Sequence, residues 1–279
     1  FEEKLNQKIN NFDMTSIIYK NKTLKCYKKI SSPMQTHDLP SRFYLSEKFK
    51  NKNCKVFFSA DGCDELFGGQ QLYKKVFNKK MKKNLNHSPY STYKKLFNFS
   101  LNNSSNLKKN YSDTLSLEWK KATKKYNFLN SYERNIQSSL YLDYFVQSIN
   151  VANRSNDLIC CSFGIEPRNI FIQKNILKII LNISLKYKFN IDEKIKVFAQ
   201  KKLLKLLFLK YFKKQLILEK EGFSGFPNSL RKNLKLNEFS LTKKLLNLKI
   251  NDSRYLTSEL EWKLINLEIF LKNYVRNKI

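Results

Sequence analysis

Residues 56–69 read VFFSADGCDELFGG: three apolar residues, then three carboxylates within five positions, then a glycine pair. The short apolar run Val56, Phe57, Phe58 reads as a buried parallel strand. The loop over residues 59–64 then lies at its carboxyl end, where open α/β sheets bind their ligands. Just upstream, residues 41–50 carry Phe43, Tyr44, Leu45 and Phe49 on one helical face. Helix, buried strand and carboxylate loop in that order form an α/β nucleotide-fold arrangement. If a helix begins at Cys63 or Asp64, Asp61 and Glu65 approach one another. Clustered carboxylates at a strand end suit Mg²⁺, which takes oxygen ligands and completes its shell with phosphate oxygens. Such an ion would neutralise a pyrophosphate leaving group. Helix capping by Asp61 or Asp64 accounts for one acid, but not for three acids followed by Gly-Gly.

The chain holds six glycines, Gly62, Gly68, Gly69, Gly164, Gly222 and Gly225, in three short clusters. In a chain so poor in glycine, those clusters mark three special loops. Between them the pattern is helical. Residues 138–149 and 177–185 have helix-like apolar spacing. Residues 199–218 show it most clearly, with Leu203, Leu204, Leu207, Tyr211 and Phe212 on one face and Lys201 and Lys205 on another. The tail, 241–275, also reads as helix, as do residues 1–11. Residues 15–19 read as a strand and 102–110 as a polar loop.

At 279 residues the chain can form one large domain or two small ones around a sizeable core. Hydrophobic residues make up 42% and aromatics 14%, which excludes a disordered tail. The net charge of +30 raises the question of a nucleic-acid partner. The excess is lysine scattered as pairs, such as Lys28–Lys29 and Lys213–Lys214, without zinc-finger spacing or an Arg-rich arm. Lysine with abundant asparagine reads as a solvated surface of AT-rich coding origin, so no specific nucleic acid is expected. The five cysteines, Cys26, Cys54, Cys63, Cys160 and Cys161, fit neither zinc nor CxxC spacing. They are expected as reduced thiols in the cytoplasm. Only His37 and His87 are present, so a histidine metal site or a Ser-His-Asp triad has little support. No apolar stretch reaches membrane-spanning length and no signal peptide is evident.

The run Ser59-Ala60-Asp61-Gly62-Cys63-Asp64-Glu65-Leu66-Phe67-Gly68-Gly69 resembles the SGEGADELFGGY motif of the asparagine synthetase family. Departures are Ala60 for Gly, Asp61 for Glu, Cys63 for Ala and Gln70 for Tyr. Residues 154–171, RSNDLICCSFGIEPRNIF, are similar to the family's RYEDRNSMAFGIESRVPFLD segment, matching at Arg154, Asp157, Phe163, Gly164, Ile165, Glu166, Arg168 and Phe171. Leu158, Cys160 and Ile170 depart from it. Buried Arg–carboxylate pairs could join the helical region to the nucleotide fold here, although plain structural ion pairing is favoured for Glu166 and Arg168. KKLLKLLF at 201–208 looks like the family's lysine helix, and EGFSGFP at 221–227 like its substrate-side loop. The four segments fall in family order across residues 33–227.

The resemblance implies a fold and a reaction. The fold is part of an adenine-nucleotide α-hydrolase-like (HUP/PP-loop) parallel sheet over residues 1–82, followed by a mostly helical region over 83–279. The reaction is ATP-dependent amidation of an aspartate-like carboxylate through an acyl-adenylate, with ammonia supplied by a glutaminase domain or subunit. On this match Asp64 binds Mg²⁺, Asp61 addresses the incoming amine, and Lys201 stabilises pyrophosphate charge. Ser59, Gly62 and Lys205 fall on the ATP-binding side, Lys205 where the family usually has Arg. The family's SGGxDS phosphate loop does not occur in the sequence, nor does its glutaminase domain, and the chain starts at Phe1 rather than Met. A piece of a longer or split protein is therefore expected, completed by the N-terminal part of the same fold; an inactive relative is the competing expectation. On either reading the chain alone is not expected to bind ATP productively. A homodimer is compatible with the resemblance. Rival functions are an amidotransferase tailoring a surface sugar or peptide, a non-catalytic interaction protein, and a basic nucleic-acid or membrane-surface binder.

Overall fold

The computed structural model describes residues 8–30, 32–34, 36–70, 73, 105–189, 200–212, 240–246 and 258–274. Among them the chain is mixed α/β, mostly helical with one small parallel sheet.

The first helix, α1, spans Ser16–Lys29. Thr15 caps it, its hydroxyl accepting from the Ile18 N–H at 3.2 Å. The strand expected over residues 15–19 is thus a helix start: a β-branched residue that suits a strand serves equally well as an N-cap. The helix expected over 1–11 is not formed at residues 8–11, and residues 1–7 lie outside the described ones.

Helix α2, Leu39–Asn51, starts with Pro40 in its first turn, where the missing N–H costs nothing. It packs on α1 around Cys26, Tyr27, Ile30, Leu39 and Phe43, with Trp262 and Ile159 closing the cluster. Trp262 belongs to the last described helix, Ser258–Tyr274. Asn266 of that helix locks it to α1: its Oδ1 accepts from the Tyr27 hydroxyl and from Met34 N–H (2.9 Å), and its Nδ2 donates to the Met34 carbonyl.

Strand β1, Val56–Ser59, follows α2 and pairs in parallel with β2, Glu166–Asn169, in the register Val56↔Glu166 through Ser59↔Asn169. The parallel strand matches expectation; its burial does not. Phe57 packs on Phe49 of α2 with ring centroids 5.6 Å apart, whereas Phe58 on the opposite face is 67% exposed. One face of β1 is covered and the other is open. Glu166 and Arg168 pair at 3.1 Å on the surface, so this is a structural ion pair and not a buried tie between regions.

Helix α3, Cys63–Leu66, follows the carboxylate loop. Helix α4 spans Ser105–Lys125, so the loop expected at 102–110 is helical from Ser105. Helix α5, Ser131–Asp143, is capped by Asn130, whose Oδ1 accepts from the Glu133 N–H at 2.9 Å. It does not run on as an α-helix to residue 149: a π-helix covers Tyr144–Asn153, and α6, Arg154–Cys161, continues from it. After β2 come α7 (Lys174–Asn182), α8 (Leu185–Lys188), α9 (Lys202–Tyr211), α10 (Ser240–Leu246) and α11 (Ser258–Tyr274). The helix read at 177–185 breaks between α7 and α8. The tail is two helices over its described residues. The apolar face read on α9 is only partly used: Leu203 and Leu204 pack against the cluster of Leu66, Phe67, Tyr144 and Ile180, while Leu207 and Tyr211 are exposed.

All five cysteines are free. No helix among the described residues is long and apolar enough to cross a membrane.

Candidate functional site

At the carboxyl end of β1 the backbone turns through Ser59 and Asp61 into α3, which begins at Cys63 behind Gly62 in the left-handed region. The carboxylate loop therefore enters its helix where the sequence suggested. The three acids then part company, each taking different partners.

Asp61 turns toward α2 and α6. Arg42 of α2 donates Nη1 to Asp61 Oδ2 and Nη2 to Oδ1, both at 3.2 Å. The Ser59 hydroxyl donates to Oδ2 at 2.6 Å and accepts from the Asp61 N–H at 3.2 Å. Asn156 of α6 donates from Nδ2 to the same Oδ2. Arg42 in turn donates Nε to Asp38 Oδ2 and Nη1 to Asn156 Oδ1, each at 2.5 Å. Burial alone would raise the Asp38 carboxyl, but Arg42 outweighs it and holds the group below its usual range. Burial likewise opposes the Arg42 charge, and Asp38 and Asp61 overcome it, so the guanidinium is held more firmly charged than usual.

Asp64 points the other way, where Lys201 Nζ ion-pairs with its Oδ1. Lys201 stands immediately before α9 with φ 54° and ψ 35°, a left-handed conformation that costs a non-glycine residue roughly 1–2 kcal/mol. Neighbouring contacts hold it there: its N–H donates to the Phe67 carbonyl at 3.3 Å, and Gln200 Nε2 donates to the carbonyls of Gly68 (2.7 Å) and Gln70 (2.8 Å). The Gly-Gly pair makes this approach feasible. A Cβ on Gly69 would collide with Lys201 Cε and the Asp64 carboxylate, and one on Gly68 with the Phe189 ring. Lys205 follows one turn into α9, half-buried, its N–H donating to the Lys201 carbonyl at 3.0 Å.

Glu65 turns inward. Its carboxyl is raised, chiefly by burial with smaller contributions from the charges of Asp64 and Asp61, and Gln70 Nε2 donates to its Oε1 at 2.7 Å. Behind it lie the fully buried Tyr73, whose phenol is raised well above its ordinary value first by burial and then by Asp143 and Glu65, and Asp143 at the end of α5. Lys188, next in sequence to Phe189 whose ring packs on that of Tyr73 with centroids 6.1 Å apart, is also buried, with Nζ donating to Gln137 Oε1 at 3.0 Å.

The structure thus brings Asp64 and Lys201 together from distant parts of the sequence and sets Ser59, Asp61 and Gly62 in one loop beside them. Arg42, Asn156 and Gln200 were not legible as site residues. One signal existed for Arg42: the chain has seven arginines among its 53 basic residues, and arginine where lysine is the habit marks a place that needs a planar fork. The loop at 221–227, with Gly222 and Gly225, lies outside the described residues.

Among the described residues no group of three or more His, Cys, Asp or Glu could hold a metal by itself. A magnesium–pyrophosphate site does not need one, since the ion keeps water and phosphate oxygens and takes one or two carboxylates. Asp64, a partly exposed carboxylate beside a lysine, fits that donor set.

The family model for asparagine synthase matches residues 13–267. No curated protein matches the chain. The matched span takes in α2, β1, the carboxylate loop, α6, β2 and the Lys201 corner alike, and the chain belongs to the asparagine synthase family, whose chemistry is ATP-dependent amidation.

Proposed function

We propose that this chain supplies one wall of an ATP-dependent amide-forming site, acting on an aspartate-like carboxylate with ammonia delivered from a glutaminase domain or subunit. The observation that carries this reading is the meeting of Asp64 and Lys201 at the carboxyl end of β1. In the reaction, a substrate carboxylate oxygen attacks the α-phosphorus of ATP, pyrophosphate leaves, and ammonia displaces AMP from the acyl-adenylate. Lys201 sets a point charge against the leaving pyrophosphate. Asp64 is the residue that would hold Mg²⁺, which when bound supplies charge neutralisation to the same leaving group. Ser59 and Gly62 form the turn facing the nucleotide, and Lys205 adds a second positive charge one helical turn beyond Lys201. The resemblance places Asp61 on the incoming amine, although Asp61 already accepts from Arg42, Ser59 and Asn156.

The parallel strands belong, on this reading, to an adenine-nucleotide α-hydrolase-like sheet over residues 1–82, with residues 83–279 as the helical part. The open face of β1, with Phe58 67% exposed, supports a partner: further α/β structure of the same fold packing there. The setting is cytoplasmic, with reduced thiols.

The test is ATP–pyrophosphate exchange by the native protein containing this chain, with Mg²⁺ and a panel of carboxylates that includes aspartate. Aspartate-dependent exchange that is lost in Asp64→Asn supports the reading. Exchange that survives Asp64→Asn, or that no carboxylate elicits, overturns it.

A further inference from the structure

Every donor around Asp61 is already committed. The carboxylate receives both prongs of the Arg42 fork at 3.2 Å, the Ser59 hydroxyl at 2.6 Å and the Asn156 amide. Oδ2 accepts three of these four bonds. Arg42 spends its remaining reach on Asp38 and on Asn156 Oδ1. The cluster is closed: α2, the loop after β1 and α6 each contribute, and Asn156 both donates to Asp61 and accepts from Arg42. A group that takes a proton from an incoming amine needs a lone pair facing that amine, and it loses its charge on doing so. Protonating Asp61 here would break a bidentate charge-assisted pair in a site mostly shielded from water, with side-chain exposures of 22% for Arg42 and 15% for Asp61.

We propose that Arg42 is a positioning residue for the amidation reaction, and that Asp61 is the anchor it grips rather than the group that receives the amine. Asp61 lies three residues before Asp64, just ahead of the left-handed Gly62 that leads into α3. Fixing its carboxylate between α2 and α6 fixes the direction in which α3 starts, and therefore where the Asp64 carboxylate is presented beside Lys201. The shortening from the family's Glu to Asp suits an anchor, because the shorter side chain keeps the carboxylate within reach of its own Ser59 and of the fork. Asn156 sets the plane of the pair by bonding to both members.

The catalytic half of this inference rests on the amidation reading, and the experiment separates the two. Arg42→Lys, which keeps the charge and loses the fork, and Asp61→Asn, which keeps the shape and loses the charge, are made singly and together in the full native protein. They are assayed at a temperature where circular dichroism shows each variant fully folded. A positioning role predicts that both singles lower kcat of ATP–pyrophosphate exchange about tenfold or more, with KM for ATP changed less than threefold. The double variant is then no worse than the worse single. An amine-receiving role for Asp61 predicts instead that Asp61→Asn leaves exchange at the wild-type rate and abolishes only amide release, with Arg42→Lys near silent; that pattern overturns the proposal. If the wild-type protein shows no exchange, the amidation reading fails, and the clamp is judged by the resonance of the Arg42 Nη2–H proton that bonds Asp61 Oδ1. Slow solvent exchange of that proton in the wild type, lost in Asp61→Asn, sustains the clamp. An unchanged resonance removes it.

Discussion

Lys201 Nζ and Asp64 Oδ1 form an ion pair packed against the Cα of Gly69. Each side chain keeps 27% of its surface exposed, so the pair contributes no more than about 1 kcal/mol to stability. On the proposed function, its value lies in holding opposite charges ready for pyrophosphate and its metal ion. Lys201→Ala is therefore expected to shift the urea midpoint little while lowering exchange activity by two or more orders of magnitude. A large loss of stability with activity retained would contradict this.

The two glycines behind that pair should fail in different ways. Gly68 has φ 65°, and a side chain there meets the ring of buried Phe189. Gly68→Ala is expected to destabilise by about 2–4 kcal/mol, read as a drop in thermal midpoint. At Gly69 the colliding atoms belong to Lys201 and Asp64, whose side chains can swing away. Gly69→Ala should unfold much like the wild type and lose activity, because the ion pair is pushed apart.

What was legible in the sequence was what is local. The strand, the carboxylate loop and the helix start at Cys63 are encoded by neighbours within a dozen residues, and they form where they were read, although the strand is half-open rather than buried. The Asp64–Lys201 meeting was legible only through the resemblance, since one lysine among so many carries no pattern of its own. The Arg42–Asp61–Asn156 cluster was not legible because its members come from three elements, and nothing near Asp61 in the sequence points to Arg42 or Asn156 as its partners. The misreadings have physical causes as well. Thr15 suits a strand and a helix cap alike. The apolar run 144–153 keeps helical spacing while winding as a π-helix, a difference of one hydrogen-bond step that composition does not report.

Lys188 makes a pH prediction. It is 1% exposed, and burial pushes its ammonium down to about 7 from an ordinary 10.5. Between those values the unfolded chain binds the extra proton and the folded one does not, so stability rises with pH across the window. Its slope is about 1.4 kcal/mol per unit, and below pH 7 the cost is constant. Lys188→Met is expected to gain a few kcal/mol over wild type at pH 7 and almost nothing near pH 10, measured as the difference in urea unfolding between the two proteins. A gain that does not shrink with pH would rule out a neutral buried lysine.

Asn266 offers a prediction distant from the chemistry. It accepts from Tyr27 and Met34 N–H and donates to the Met34 carbonyl, all buried. Asn266→Leu leaves the Met34 backbone without partners, and should cost about 2–5 kcal/mol with exchange activity per folded molecule unchanged. Loss of activity at full stability would show that α11 reaches the site in some other way.

The π-helix over Tyr144–Asn153 joins Asp143, beside the buried Tyr73, to the helix that carries Asn156. Because a helix turns the chain by a fixed angle per residue, somewhat less in this wider π-helix than the roughly 100° of an α-helix, this segment works as a rotational spacer whose residue count sets the azimuth of everything beyond it. Removing a single residue there would leave every side chain of the Asp61 cluster in the sequence, yet swing Asn156 roughly a quarter turn away from it. The segment is therefore expected to tolerate substitution better than change of length, and its length shapes the cluster as much as any side chain in it.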